Sequence, residues 1–121
     1  MRDIGFDMRE KWWGHWMTFE NGLTISIQFG WGMYCENYDN VLKRPFGDEP
    51  HDPNCRSKDA EIAIMYKGDM VTRKFIDCYD DVAGCVGINK VADIIYKLKN
   101  WTPGKRVVRI NLKEKNETTK N

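Results

Sequence analysis

Apolar and polar positions alternate most cleanly over Leu23–Phe29, where Leu23, Ile25, Ile27 and Phe29 fall on one side and Thr24, Ser26 and Gln28 on the other. A second strand-like run, Trp16–Glu20, precedes it, with Asn21-Gly22 between them. That dipeptide suits the two positive φ angles of a type I′ turn, so the pattern predicts a two-residue β-hairpin. In that register Glu20 faces Leu23 and Trp16 faces Ile27. One face then carries Trp16, Leu23, Ile25, Ile27 and Phe29, and the other Met17, Phe19, Thr24, Ser26 and Gln28.

The same reading extends along the chain. Ile4, Phe6 and Met8 alternate with Asp3, Gly5 and Asp7, as a short edge strand would. Over 59–67, Ala60, Ile62, Ile64 and Tyr66 share one face. Gly68-Asp69 predicts a second tight turn, and 70–77 a returning strand with Val71 and Phe75 on one face and Met70 and Ile76 on the other. Residues 78–84 read as a loop. Ile88, Val91, Ala92, Ile94, Ile95 and Leu98 then recur at helical spacing, with Gly87 at the N-cap and Pro103-Gly104 as the stop beyond Trp101. Val108, Ile110 and Leu112 predict a last strand, and 114–121 a disordered tail. The fold class that follows is α+β: an antiparallel β-meander with one helix of the C-terminal half packed on one face, plus a terminal strand, in a single domain over 1–113.

Between the two hairpins, residues 30–58 hold three of the four prolines, three of the ten glycines and no periodicity. Connections of this length are more often functional than short ones. Trp31, Tyr34, Tyr38 and Phe46 within it fold back on the sheet, line a site or meet another subunit. Trp12, Trp13 and Trp16 crowd around Gly14 and suit core, subunit contact or a stacking wall.

With 41% hydrophobic and 31% charged residues, the chain can bury one core. Its net charge of +1 supplies no bulk attraction for DNA or RNA. Charge is uneven: 36–54 holds five acidic and two basic residues, and 102–121 six basic and two acidic. No apolar leader follows Met1-Arg2-Asp3 and no run spans a bilayer, so a cytoplasmic protein with its four cysteines (Cys35, Cys55, Cys78, Cys85) as thiols is expected, with no membrane partner.

Catalytic signatures are missing from the sequence. Neither His15 nor His51 sits in a setting that marks an activated base. His51 and Cys55 are separated by Pro53, and Cys78 and Cys85 lie seven apart, so metal spacing is poor. Asp80-Asp81, beside Asp77, are of the type that holds Mg²⁺ but are more often solvated. The expectation is no enzyme, no cofactor and no metal. What remains is a set of aromatics and arginines. Arg56, Arg106 and Arg109 can grip phosphate in a bidentate way, aromatics can stack on a base, and Asn89 and Lys90 sit at a helix start with outward amides.

At FENGLTISIQFGWGMYCENYD, SKDAEIAIMYKGD and DDVAGCVGINKVADIIYKL the chain resembles the first family of Thoeris anti-defence proteins of phages and prophages of Gram-positive bacteria. The likeness covers roughly residues 16–113 and rests on the order of hairpin, long loop, hairpin, helix and basic end strand. It implies a homo-oligomer, dimer or higher, in the cytoplasm of the infected host. Such proteins bind cyclic ADP-ribose isomers made by bacterial TIR enzymes, and some bind cyclic trinucleotides, holding the messenger intact. Carried onto this chain, the resemblance implies adenine stacking on Tyr79, Tyr34 or Phe75. Arg56, Arg106 and Arg109 would hold the diphosphate, and Asn89 would bond a ribose or base. The alternative reading is a phage protein that blocks a host protein through an aromatic patch, and a third is a small nucleotide-degrading enzyme.

Overall fold

The computed structural model describes residues 3–8, 14–30, 35 and 56–113. The long connection apart from Gly30, Cys35 and the 56–58 end, the residues Trp12, Trp13, Trp31, Tyr34, Tyr38, Phe46, His51 and Cys55, and the tail from 114 lie outside them.

The chain is α+β, with a six-stranded antiparallel sheet. Its first five strands run in chain order as a meander: β1 (Gly5–Met8), β2 (Gly14–Thr18), β3 (Leu23–Gln28), β4 (Asp59–Tyr66) and β5 (Asp69–Met70). The short helix α1 (Thr72–Phe75) follows, then β6 (Ala83–Gly87) and the long helix α2 (Ile88–Lys99). Strands β5 and β6 share one edge of β4, β5 at its C-terminal end and β6 at its N-terminal end.

The first hairpin exists, but its register is shifted by one residue from expectation. Thr18 pairs with Thr24, Met17 with Ile25 and Trp16 with Ser26. The turn has three residues, Glu20 to Gly22, closed by the Phe19 amide on the Leu23 carbonyl at 2.8 Å and the Gly22 amide on the Phe19 carbonyl at 2.9 Å. Only Gly22 needs a positive φ (+92°), which fits a type I turn ending in a left-handed glycine. The cause is tertiary. The Asn21 side-chain amide donates to the Leu98 and Trp101 carbonyls at 2.7 and 2.8 Å, and its Oδ1 accepts from the Leu23 amide at 3.1 Å. Asn21 thereby ties the hairpin to the end of α2, whose last carbonyls lack helical donors.

A one-residue slip exchanges faces. Met17 and Phe19 therefore join Leu23, Ile25, Ile27 and Phe29 on the core side, and Trp16 and Thr18 move to the other. On that far face Thr18 and Thr24 share a buried 2.9 Å hydroxyl–hydroxyl bond. Strand β4 adds Ala60, Ile62, Ile64 and Tyr66 to the core side, as its alternation predicts. Val91, Ile94 and Leu98 of α2 close the core, with Gly87 at the N-cap as expected. Gly14 holds β2 against β3: a Cβ there would lie 2.0 Å from the Ile27 carbonyl oxygen.

Four further expectations change. The second turn is Lys67-Gly68, both at positive φ (+50° and +84°), with Tyr66 opposite Asp69 as in a type I′ hairpin. The returning strand is only Asp69–Met70, because Thr72–Phe75 turns helical. Residues 78–84 are not all loop, since β6 begins at Ala83 and pairs with β4 through a bulge. The C-terminal stretch pairs through a single parallel bridge, Ile110 with Ile76, rather than over an extended strand.

Candidate functional site

That bridge forms one side of a polar depression. The Ile110 amide donates to the Phe75 carbonyl at 2.8 Å and the Asp77 amide to the Ile110 carbonyl at 2.9 Å. Asp77 is thereby laid beside the segment that runs on to Asn111 and Lys113. Beyond it the chain arches through Cys78, Tyr79 and Asp80 before entering β6. Thr72 anchors the far end of the arch, its buried hydroxyl donating to the Asp81 carbonyl at 2.5 Å. An exposed Arg73–Asp81 pair at 3.8 Å lies at the same point.

Between arch and C-terminal segment lies a groove of 500 Å³, whose polar lining includes Asp77, Cys78, Tyr79, Asp80, Asn111 and Lys113. Its volume falls within the range of about 300–1,000 Å³ of small-molecule sites. Tyr79 is 94% exposed, an unusual state for an aromatic ring. Arg109 is held at the groove through Asp77, with Nη1 3.8 Å from the carboxylate. Burial pushes the Cys78 thiol above its ordinary pKa; Arg73 opposes this, and Asp77 and Asp80 reinforce it. Cys78 is therefore a neutral thiol near neutral pH, and its Sγ donates to the Asp80 carbonyl at 3.3 Å.

Of the candidates only Tyr79 lines this groove; Arg109 adjoins it through its ion pair with Asp77, and the others are dispersed. Arg106 lines a separate depression of 330 Å³ with Lys97, Lys105 and Trp101. There Lys97 Nζ donates to the Val108 carbonyl at 2.6 Å. Asn89 is exposed in the first turn of α2 and lines neither depression. Arg56 is exposed just ahead of β4. Tyr34 lies outside the described residues. Phe75 is 1% exposed, and its ring stands edge-on to Trp101 at 5.6 Å and 82°. It is a core residue and offers no face for stacking, which corrects that expectation. Trp101 makes a second edge contact with Tyr66 at 5.2 Å.

No known protein family, curated protein or solved structure matches the chain. Among the described residues no group of three or more His, Cys, Asp or Glu is placed to hold a metal ion. Asp77 and Asp81 each face an arginine instead. Among the same residues no helix is long and apolar enough to cross a membrane.

Two features escape sequence reasoning. Asn111 and Lys113 reach the groove only through the Ile76–Ile110 bridge, which has no local signature. An apolar groove of 270 Å³ also lies between sheet and α2, lined by Met17, Ile27, Phe29, Ile88, Val91 and Ile95. Ile88 stands 71% exposed at its edge, and its place on the apolar stripe of α2 was the available sign.

Proposed function

We propose that the protein sequesters a small cyclic nucleotide messenger, of the cyclic ADP-ribose class, in the groove between Asp77–Gly84 and the C-terminal segment. Holding the messenger unchanged would starve the effector of a bacterial anti-phage system. The observation that carries this reading is Tyr79, a solvent-exposed ring at a groove lined also by Asp77, Asn111 and Lys113, with Arg109 paired to Asp77. Stacking on an adenine is worth about 1–3 kcal/mol per base. An exposed ion pair such as Asp77–Arg109 is worth only about 0–1 kcal/mol, so the guanidinium can turn to a diphosphate that it grips through two parallel hydrogen bonds. Lys113 supplies a second cation, and Asn111 suits a ribose hydroxyl or base edge. The resemblance at GINKVADIIYKL and its companion segments supports the same class of ligand.

A capture-and-release experiment tests the proposal. The protein is incubated with cyclic ADP-ribose isomers and cyclic trinucleotides, filtered, then heated, and the released compounds are identified. Intact messenger is expected only after heating, and Tyr79→Ala and Arg109→Ala should each weaken capture by about tenfold or more. Arg106→Ala, in the other depression, should leave capture within about twofold. A chemically changed product in the filtrate would indicate an enzyme, and unchanged compound recovered entirely in the filtrate would sink the proposal.

A further inference from the structure

The depression at the end of α2 carries an inference that does not depend on the groove. Three cations line it, Lys97, Lys105 and Arg106, and no described carboxylate does. None of the three makes an ion pair among the described residues, where Arg73 and Arg109 face Asp81 and Asp77. Its apolar wall is Trp101, Val107 and Val108, and Val108 is 74% exposed.

Cations near a helix C-terminus commonly answer its last carbonyls, which lack helical donors. Here neutral amides answer them. The Asn21 side chain takes the Leu98 and Trp101 carbonyls, and the Asn100 side chain donates to the Tyr96 carbonyl at 2.9 Å. Lys97 turns instead to the Val108 carbonyl, and Lys105 and Arg106 stand exposed beyond the helix. Three like charges gathered in this way repel one another, and an anionic partner relieves that repulsion. The Trp101 ring is already engaged, with Lys74 Nζ over it at 5.3 Å and edge contacts to Phe75 and Tyr66. It serves as a wall, not as a platform for a base. The positive track also ends at Arg109, which Asp77 pairs, whereas single-stranded nucleic acid needs a basic groove that follows its backbone.

We infer that this depression docks a short acidic segment of a partner protein, in which one apolar side chain is flanked by carboxylates. The apolar side chain rests against Trp101, Val107 and Val108, and the carboxylates meet Lys97, Lys105 and Arg106. Asn100 and Thr102, which also line the depression, suit the segment's backbone groups. A volume of 330 Å³ accommodates one large side chain and its neighbours, not a whole helix of about 10–12 Å diameter. Charge complementarity of this kind steers encounter and selects the partner.

Titration of the full chain with a synthetic peptide, followed by nuclear magnetic resonance, tests the inference. The probe is a leucine flanked on each side by two glutamates and blocked at both ends. Amide signals of residues 100–108 should shift saturably, and those of the arch, 77–84, should not. A matched peptide with glutamine for glutamate should bind about tenfold more weakly or worse. The double variant Lys105→Glu with Arg106→Glu should weaken the acidic peptide by about tenfold, because attractions become repulsions. Lys90→Glu, the same charge change in the first turn of α2, should leave binding within about twofold. Circular dichroism verifies that each variant is folded. No saturable shift, equal binding of the glutamine peptide, or undiminished binding by the double variant would overturn the inference. So would an oligothymidylate that shifts the same residues at lower concentration than the peptide, which would make the depression a nucleic-acid site.

Discussion

Thr72 closes a gap in the sheet, and replacing it measures how strongly the groove's arch depends on that closure. Along the outer edge of β4, β5 pairs at Met65 and Tyr66 and β6 pairs from Asp59 to Ile62, leaving Ile64 between them. The Ile64 amide donates to Thr72 Oγ1 at 2.9 Å, and the Ile64 carbonyl accepts from the Val71 amide at 2.8 Å. The hydroxyl proton of Thr72 goes on to the Asp81 carbonyl. Thr72 and Ile64 are both 0% exposed, so water cannot substitute. Thr72→Val keeps the shape and removes the hydroxyl. Orphaning the Ile64 amide costs about 1–3 kcal/mol and losing the bond to Asp81 about 1 more, offset by about 0.8 kcal/mol for the added buried methyl. The net loss is about 2 kcal/mol. Thr72→Ser keeps the hydroxyl and loses a methyl, at about 1 kcal/mol. Urea unfolding followed by tryptophan fluorescence separates them. With a slope of about 1.5 kcal/mol/M, the valine variant's midpoint should fall by more than about 1 M and the serine variant's by roughly half as much. In hydrogen exchange the Ile64 amide of the valine variant should lose protection. A valine variant as stable as the serine variant would refute the assignment, because burial without the hydrogen bonds would then suffice.

Asn21→Asp sets a carboxylate against the Leu98 and Trp101 carbonyls at the negative end of α2, and should destabilise by about 3 kcal/mol, read as a fall in Tm of about 10 °C. Lys67→Asn relieves a side chain held at φ +50° in the second hairpin turn and should raise Tm by about 2 °C. The raised pKa of the Cys78 thiol makes the folded state hold that proton more tightly than the unfolded chain does. Its contribution to stability is thus complete below the ordinary thiol pKa of about 8.5 and is lost as pH rises through the folded value. Cys78→Ser should flatten the fall in stability above that pH, and Cys78 should react more slowly than exposed Cys85 with a thiol reagent at neutral pH.

The hairpin shows what local pattern can and cannot decide. Alternation over Leu23–Gln28, the apolar face of Ala60–Tyr66 and the stripe of Val91, Ile94 and Leu98 all survive in the folded chain, because each is a periodicity that burial enforces. The register of the first hairpin did not follow from Asn21-Gly22, because Asn21 is engaged by the end of a helix distant in sequence. A correct sign was nevertheless present. The two-residue turn sets Met17 and Phe19 beside Thr24 and Ser26, whereas the three-residue turn sets them beside Leu23 and Ile25 and pairs Thr18 with Thr24. Requiring both strands to agree on the core face selects the second arrangement over the stronger turn propensity. Strand β6 was hidden for a different reason: Cys85 at φ +53° belongs to a bulge that breaks the alternation. The groove shares that limit. Tyr79 and Arg109 could be named by their chemistry. That their two segments lie side by side depends on the parallel bridge of Ile76 with Ile110, a pairing of only two hydrogen bonds. A site assembled by so short a pairing leaves almost no periodic trace in either segment, so chemistry identified its members and only the fold could bring them together.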